Sequence, residues 1–265
     1  MSQVTVIEVP QWQGSSSPTA HRLRDGAKLL AEMVPNAVHL RVDIADGDAP
    51  AALATTAGRT RAALAQAPDG LVVTVGGDCG VDLAPVSAAL DRYGDRLALV
   101  WFDAHGDLNT PGSSPSGAFH GMVLRTLTGE GHDALLPEHP IHPERIVLAG
   151  ARDLDPAERD FATSSGLTHL GVTDLSDPAT LVQAVTDTGA DVVYIHIDLD
   201  VLDPATFASV GVPAPGGLLP DDLLKLVRTL TEHFELAGIG ITEYEPSRPE
   251  DQLLLTPLIA NLTTP

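Results

Sequence analysis

The chain has 265 residues, 43% of them hydrophobic, with 36 Asp+Glu against 15 Lys+Arg and a formal net charge of −21 at pH 7. That apolar content suffices for a large core, and α/β folds of this length often form one unit, so a single domain over residues 1–265 is expected. The acidity speaks against a nucleic-acid partner, which needs a basic surface, and suits a small cationic ligand.

The N-terminal stretch MSQVTVIEVPQW has no basic region followed by an apolar run, so it does not read as a signal peptide. From there, β-branched runs alternate with Ala/Leu-rich amphipathic stretches: strand 4–9, helix 19–33, strand 37–43, helix 53–67, strand 70–77 and helix 81–92. The pattern continues with strand 97–104, helix 117–129, strand 145–150, helix 156–165, strand 168–173, helix 177–189, strand 192–199, helix 220–234, strand 237–243 and helix 250–261. Near-continuous hydrophobicity in the strands points to burial on both faces, hence a parallel sheet between helical layers. Two loops, 109–116 and 201–219, are long and rich in Gly, Pro and Ser, as functional loops often are. No apolar run approaches a membrane span. The one cysteine, Cys79, excludes an internal disulfide and fits a reducing compartment, so a cytoplasmic protein is expected.

In open parallel sheets, ligands bind beyond the carboxyl ends of the strands. Those ends here carry Asp78 and Cys79, then Asp103, His105 and Asp107, then Asp153 and Asp155, then Asp198 and Asp200, and finally Glu243. Strand alternation would put Asp103 and His105 on one face, and Asp198 and Asp200 on one face. Aspartates packed together repel unless divalent cations lie between them, and a neutral imidazole completes such a site. Each D-x-D taken singly reads as turn and helix-cap chemistry, and Asp155 before Pro156 is an ordinary cap. It is their convergence around a histidine that points to a metal pair, which can ionise water near pH 7.

The motifs VGGDCG (75–80), FDAHGDLNTP (102–111) and HIDLDVLDP (196–204) resemble those of the ureohydrolase family of arginases and agmatinases. SGAFHG (116–121), ARDLDP (151–156) and TEYEP (242–246) strengthen the resemblance. It implies an α/β fold: a three-layer αβα sandwich with a mostly parallel eight-stranded sheet. It further implies two Mn2+ per subunit, hydrolysis of a guanidino group to urea and an amine by a hydroxide held between the cations, and a homo-oligomer, trimeric or hexameric. By the resemblance, Cys79, Asp103, Asp107 and Asp198 hold one metal, while Asp103, His105, Asp198 and Asp200 hold the other. His120 matches the proton-shuttling histidine, Asp107 orients the attacking oxygen, and Glu243 grips the guanidinium. Asp155 matches a residue meeting the substrate α-amino group, and Asn109 and Ser116 match positions reaching its α-carboxylate. His196 lies two residues before Asp198 and is assigned a hydrogen-bonding role behind the ligands, as are Asp78 and Asp203.

Two positions depart from the family pattern. Cys79 stands where a ligand histidine is usual, and a thiolate is softer than manganese prefers, which leaves zinc or another divalent metal open. Ala118 stands where arginases often have an asparagine. The expected substrate is L-arginine, yielding L-ornithine, or a close analogue. Nω-hydroxy-L-arginine, agmatine and other guanidino acids stay open, as does a catalytically idle metal-binding member. A dinucleotide enzyme is disfavoured, because residues 75–80 lack a G-x-G-x-x-G loop.

Overall fold

The computed structural model describes residues 3–47 and 50–264. Eight strands carry the aliphatic runs: β1 Gln3–Val9, β2 Val38–Arg41, β3 Gly70–Gly76, β4 Leu97–Phe102, β5 Ile146–Ala149, β6 Thr168–Leu170, β7 Val192–Asp198 and β8 Glu235–Thr242. They form one sheet in the order β2-β1-β3-β8-β7-β4-β5-β6. Every pairing is parallel. The helices are α1 Leu23–Met33, α2 Ala51–Leu64, α3 Leu83–Tyr93, α4 Val123–Leu127, α5 Pro156–Ser164, α6 Pro178–Asp187, α7 Pro220–His233 and α8 Pro249–Leu262.

Strand alternation sorts the side chains of β4 into two cores, one on each face of the sheet. On β4, Ala98, Val100 and Phe102 pack with Leu30 of α1, Leu181 of α6, Leu226 of α7 and Leu258 of α8. Leu97, Leu99 and Trp101 pack with Leu53 of α2, Leu83 and Val86 of α3 and Leu124 of α4, with Phe161 of α5 against them. The sheet is thus covered on both faces, which is why its strands are apolar almost throughout. Pro156 and Pro220 occupy first turns, where a missing N–H costs nothing.

The structure differs from expectation around residues 117–129. A 3-10 turn, Phe119–Met122, precedes a helix of only five residues, α4. Gly117 has φ +68°, outside helical geometry, and the His120 N–H donates outward to the Gly14 carbonyl at 2.9 Å. Those two features delay the helix and present His120 from a turn.

Gly77, just past β3, marks a tight crossing. A Cβ there would lie 1.4 Å from the Gln11 carbonyl oxygen, a backbone atom that cannot swing away. The Gly77 carbonyl also accepts the Glu243 N–H at 2.8 Å. Gly77→Ala is therefore expected to lower stability by about 3 kcal/mol, the upper end for overpacking. For a chain of this size that is roughly 6–12 °C in the unfolding midpoint, readable by calorimetry.

Candidate active site

β3, β8, β7, β4 and β5 are consecutive neighbours at the centre of the sheet. In that order their carboxyl ends deliver Cys79, Glu243, Asp198, Asp103 and the Asp153–Asp155 segment. β4 ends at Phe102 and β7 at Asp198, so alternation is not what brings the paired acids together. Instead each first acid caps the turn that follows it. Asp103 Oδ1 accepts the His105 N–H at 2.7 Å, and Asp198 Oδ1 accepts the Asp200 N–H at 2.7 Å. Such Asx turns fold the second ligand-type residue back beside the first.

The remaining contacts close the cluster. Asp103 Oδ2 accepts the Trp101 indole N–H at 3.1 Å. His105 Nδ1 lies 3.0 Å from Asp200 Oδ2 and 3.5 Å from Asp103 Oδ1. The Cys79 thiol donates to Asp198 Oδ2 at 3.1 Å, and the Cys79 N–H donates to Glu243 Oε1 at 3.2 Å. Arg152 donates to the Asp200 carbonyl at 2.9 Å and to the carbonyls of Gly150 and Ala214, fixing the turn that carries Asp200. Asp107 and Glu243 have φ of +52° and +61°. Left-handed backbone at a non-glycine residue costs about 1–3 kcal/mol and persists only where the surroundings enforce it. Here the Asp107 carbonyl holds the Arg125 N–H at 3.0 Å, and Gly77 holds Glu243.

Three sets of donor atoms lie within 4.8 Å of one another: Cys79, Asp198 and Glu243; Asp103, His105 and Asp200; and Cys79, Asp103 and His196. Asp107 is in none of these sets but shares the cavity, with Oδ2 buried and unpartnered among the described residues. Burial, and then the charges of Asp103 and Glu158, push the Asp107 carboxyl well above its ordinary range. Burial raises Asp198 likewise, with Asp200, Asp103 and Glu243 adding to it. Asp200 is raised by burial and Asp103, against the opposing pull of His105. Asp103 goes the other way: burial would raise it, but the hydrogen bonds and charge of His105 bring it down to about 2. The Cys79 thiol is driven well up by burial, then by Asp198 and Asp107. Acids this close cannot all ionise by themselves, and divalent cations would reverse the balance. His105 Nε2, Asp107 Oδ2 and His196 Nε2 are buried without a hydrogen-bond partner among the described residues. These residues fit a pair of cations.

The cluster floors a cavity of about 240 Å³ whose lining includes Ser16, Asn109, Ser116, His120, Asp155 and Glu158. Among the described residues seven carboxylates line it, from Asp107, Asp153, Asp155, Glu158, Asp198, Asp200 and Glu243, and no Lys or Arg does. His120 Nδ1 is 3.3 Å from Glu243 Oε1, and its Nε2 lies 3.2 Å from the Ser16 backbone N and 2.9 Å from Ser16 Oγ. Asn109 Nδ2 donates to Asp155 Oδ2 at 2.9 Å, while its Oδ1 accepts from Ser113 at 2.8 Å. Ser116 is exposed at the mouth, its hydroxyl accepting the Ala118 N–H at 3.2 Å.

Asp78 serves the site indirectly. Fully buried, it accepts from Gln11 Nε2 and from the N–H groups of Gly14 and Gly80, each at 2.9 Å. It thereby holds the 11–16 loop that carries Ser16 to His120. Asp203 stands apart from the cluster, where it ties Ala205, Gly216 and Gly217 together. Glu158 and Ser16 are cavity residues that the sequence motifs did not single out. Glu158 accepts the Asp155 N–H at 2.8 Å and the Leu108 N–H at 3.0 Å, and its D-x-x-E spacing is a capping-box signal that could have flagged it. Ser16, within a plain serine run, offered no signal.

The arginase-family sequence profile matches residues 15–262. The chain belongs to the arginase family. The arginase of Staphylococcus aureus (strain MRSA252) is 35% identical over 184 residues, 66% of this chain and 60% of that protein. The aligned stretch of this arginase-family chain thus spans about three fifths of that relative's length. In structure it resembles Entamoeba histolytica arginase in complex with L-ornithine, with a TM-score of 0.88 at 24% identity, covering 99% of this chain and 98% of that one. Bacillus subtilis arginase superposes with a TM-score of 0.83 at 25% identity, covering 98% of each chain. Both likenesses bear out the eight-stranded αβα fold. No helix among the described residues is long and apolar enough to cross a membrane.

Proposed function

We propose that this arginase-family protein is a metal-dependent hydrolase that cleaves the guanidino group of L-arginine, or a close analogue, to urea and an amine. The observation that carries the reading is a cavity lined by seven carboxylates, three of which, Asp198, Asp200 and Glu243, belong to its clusters of metal-type donors. Cys79, Asp103, Asp107 and Asp198 would hold one cation, and Asp103, His105, Asp198 and Asp200 the other. Such a pair, when bound, would supply ionised water near neutral pH. Manganese is the family expectation; Cys79 keeps zinc in contention.

The chain's own residues then do the following. Glu243 accepts two parallel N–H groups of the guanidinium, fixing the angle at which its carbon is approached. Asp107, through its unpartnered Oδ2, orients the attacking oxygen. The amine leaves only after its nitrogen gains a proton, and His120, in contact with Glu243, is positioned to deliver it. At the mouth Asp155 meets the α-ammonium group, with Asn109 and Ser116 toward the α-carboxylate. A single catalytic domain over 1–265, a trimer or hexamer, and a cytoplasmic location complete the proposal.

One observation favours a second substrate, agmatine. The lining holds no cation for a carboxylate, and the Asn109 amide already engages Asp155 and Ser113. Urea release from arginine, Nω-hydroxyarginine, agmatine and guanidinobutyrate by metal-loaded protein tests both readings. Arginine is expected to exceed guanidinobutyrate, which lacks the ammonium, by roughly 10- to 100-fold in kcat/KM, the value of one charge-assisted hydrogen bond. Urea from agmatine alone would overturn the amino-acid assignment.

A further inference from the structure

We propose that His196 is a direct ligand of the cation on the Cys79 side of the site, forming with Cys79 and Asp103 a nitrogen–sulfur–oxygen donor set that prefers a zinc-class ion. The proposal deepens the functional reading above and rests on its metal centre.

His196 is fully buried on β7, in register with Trp101 of β4 and Gly240 of β8. Its ring lies on the Trp101 ring, centroids 3.4 Å apart and planes 9° from parallel, which fixes the imidazole plane. Nδ1 is 2.7 Å from Asp82 Oδ2, and the other Asp82 oxygen accepts the Tyr194 hydroxyl at 3.0 Å. Room for this carboxylate exists only because residue 240 is glycine: a Cβ there would lie 1.7 Å from Asp82 Oδ2. Asp82 closes the same 3-10 turn that Cys79 opens, so the turn sets thiol and carboxylate together.

A carboxylate facing Nδ1 assigns the proton to that nitrogen and leaves the lone pair on Nε2. Nε2 is buried and has no partner among the described residues. A ring nitrogen of His196, the Cys79 Sγ and an Asp103 oxygen lie within 4.8 Å of one another. With Nδ1 committed to Asp82, Nε2 is the nitrogen free to bind. No hydrogen bond joins Cys79 to His196; the thiol donates to Asp198 instead. A lone pair without a proton to accept, beside a thiol and a carboxylate, is what a cation requires. A carboxylate behind a ligating imidazole is the usual means of orienting it and raising its basicity. Thiolate and imidazole together select zinc or cobalt over manganese, which favours oxygen. Binding forms the metal–sulfur and metal–nitrogen bonds and releases the thiol proton to solvent.

Crystals of the full chain loaded with Zn2+ alone, with anomalous data at the zinc edge, test this directly on the wild type. A zinc peak at about 2.1 Å from His196 Nε2 and about 2.3 Å from Cys79 Sγ is expected. Zinc on the Cys79 side but more than about 3 Å from His196 would overturn the proposal and leave the functional reading standing. Zinc only at Asp103, His105 and Asp200 would overturn it too. No cation anywhere in the cavity would remove both. In solution, His196→Gln should weaken zinc at one of two sites by more than 100-fold, and Asp82→Asn by 10- to 100-fold, the effect of losing an orienting partner. Unaltered zinc affinity in a folded His196→Gln protein would count against ligation.

Discussion

Asparagine in place of Asp198 is expected to cut turnover roughly 1000-fold while leaving the metal-free protein at least as stable as the parent. The loss corresponds to about 4 kcal/mol, the scale of charge stabilisation that a bound metal supplies. The stability result follows from the surroundings of Asp198. It is buried, and burial, Asp200, Asp103 and Glu243 all raise its proton affinity. A carboxyl whose pKa rises on folding stabilises the native state below its unfolded value, near 3.9, and loses that contribution as pH climbs through the folded value. At neutral pH the metal-free cluster therefore carries strain that asparagine relieves. Asparagine also keeps an oxygen for the Asp200 N–H that Asp198 Oδ1 now accepts. The parent should gain about 2.7 kcal/mol from a cation at a hundredfold its Kd, and the variant much less. Thermal unfolding with and without metal, beside a urea assay, reads both effects. Undiminished turnover would contradict the assignment of Asp198.

His120→Asn is expected to lower kcat by about 10²- to 10⁴-fold, the usual worth of a positioned acid, with a smaller change in KM. Burial depresses the His120 pKa, but the hydrogen bond and charge of Glu243 outweigh it, so the ring stays protonated to higher pH than free histidine. As proton donor to the leaving amine, His120 should impose a fall in kcat as pH rises through that raised value. The variant should lose this alkaline limb. A full kcat profile against pH checks both, and an unchanged kcat would sink the role.

The six inner strands were legible because parallel strands buried on both faces read as near-unbroken apolar runs, whereas the edge strands β2 and β6 are short, partly exposed and mixed in composition. Their ends were less so: hydrophobicity continues through 104 and 199, but Asp103 and Asp198 take the next turn's N–H groups and end the ladder. The metal-type residues were legible for a related reason, since those caps impose the D-x-H and D-x-D spacing. Apart from Glu158, whose capping-box spacing is local, what escaped depends on contacts distant in sequence. Ser16 reaches His120 across 104 positions, and the free nitrogen of His196 is defined by Asp82 across 114. Neither pairing has a local pattern. The expected 117–129 helix failed for the same reason, because Gly14 draws off the His120 N–H.

The central claim is that the carboxylate cluster at the sheet's centre is a two-cation site. Elemental analysis of the chain after metal loading and extensive dialysis tests it most directly, run beside an Asp103→Ala, Asp198→Asn double variant. The account predicts two divalent ions per wild-type chain and fewer than one in the variant. Equal metal content in the two proteins, or none in either, would contradict it.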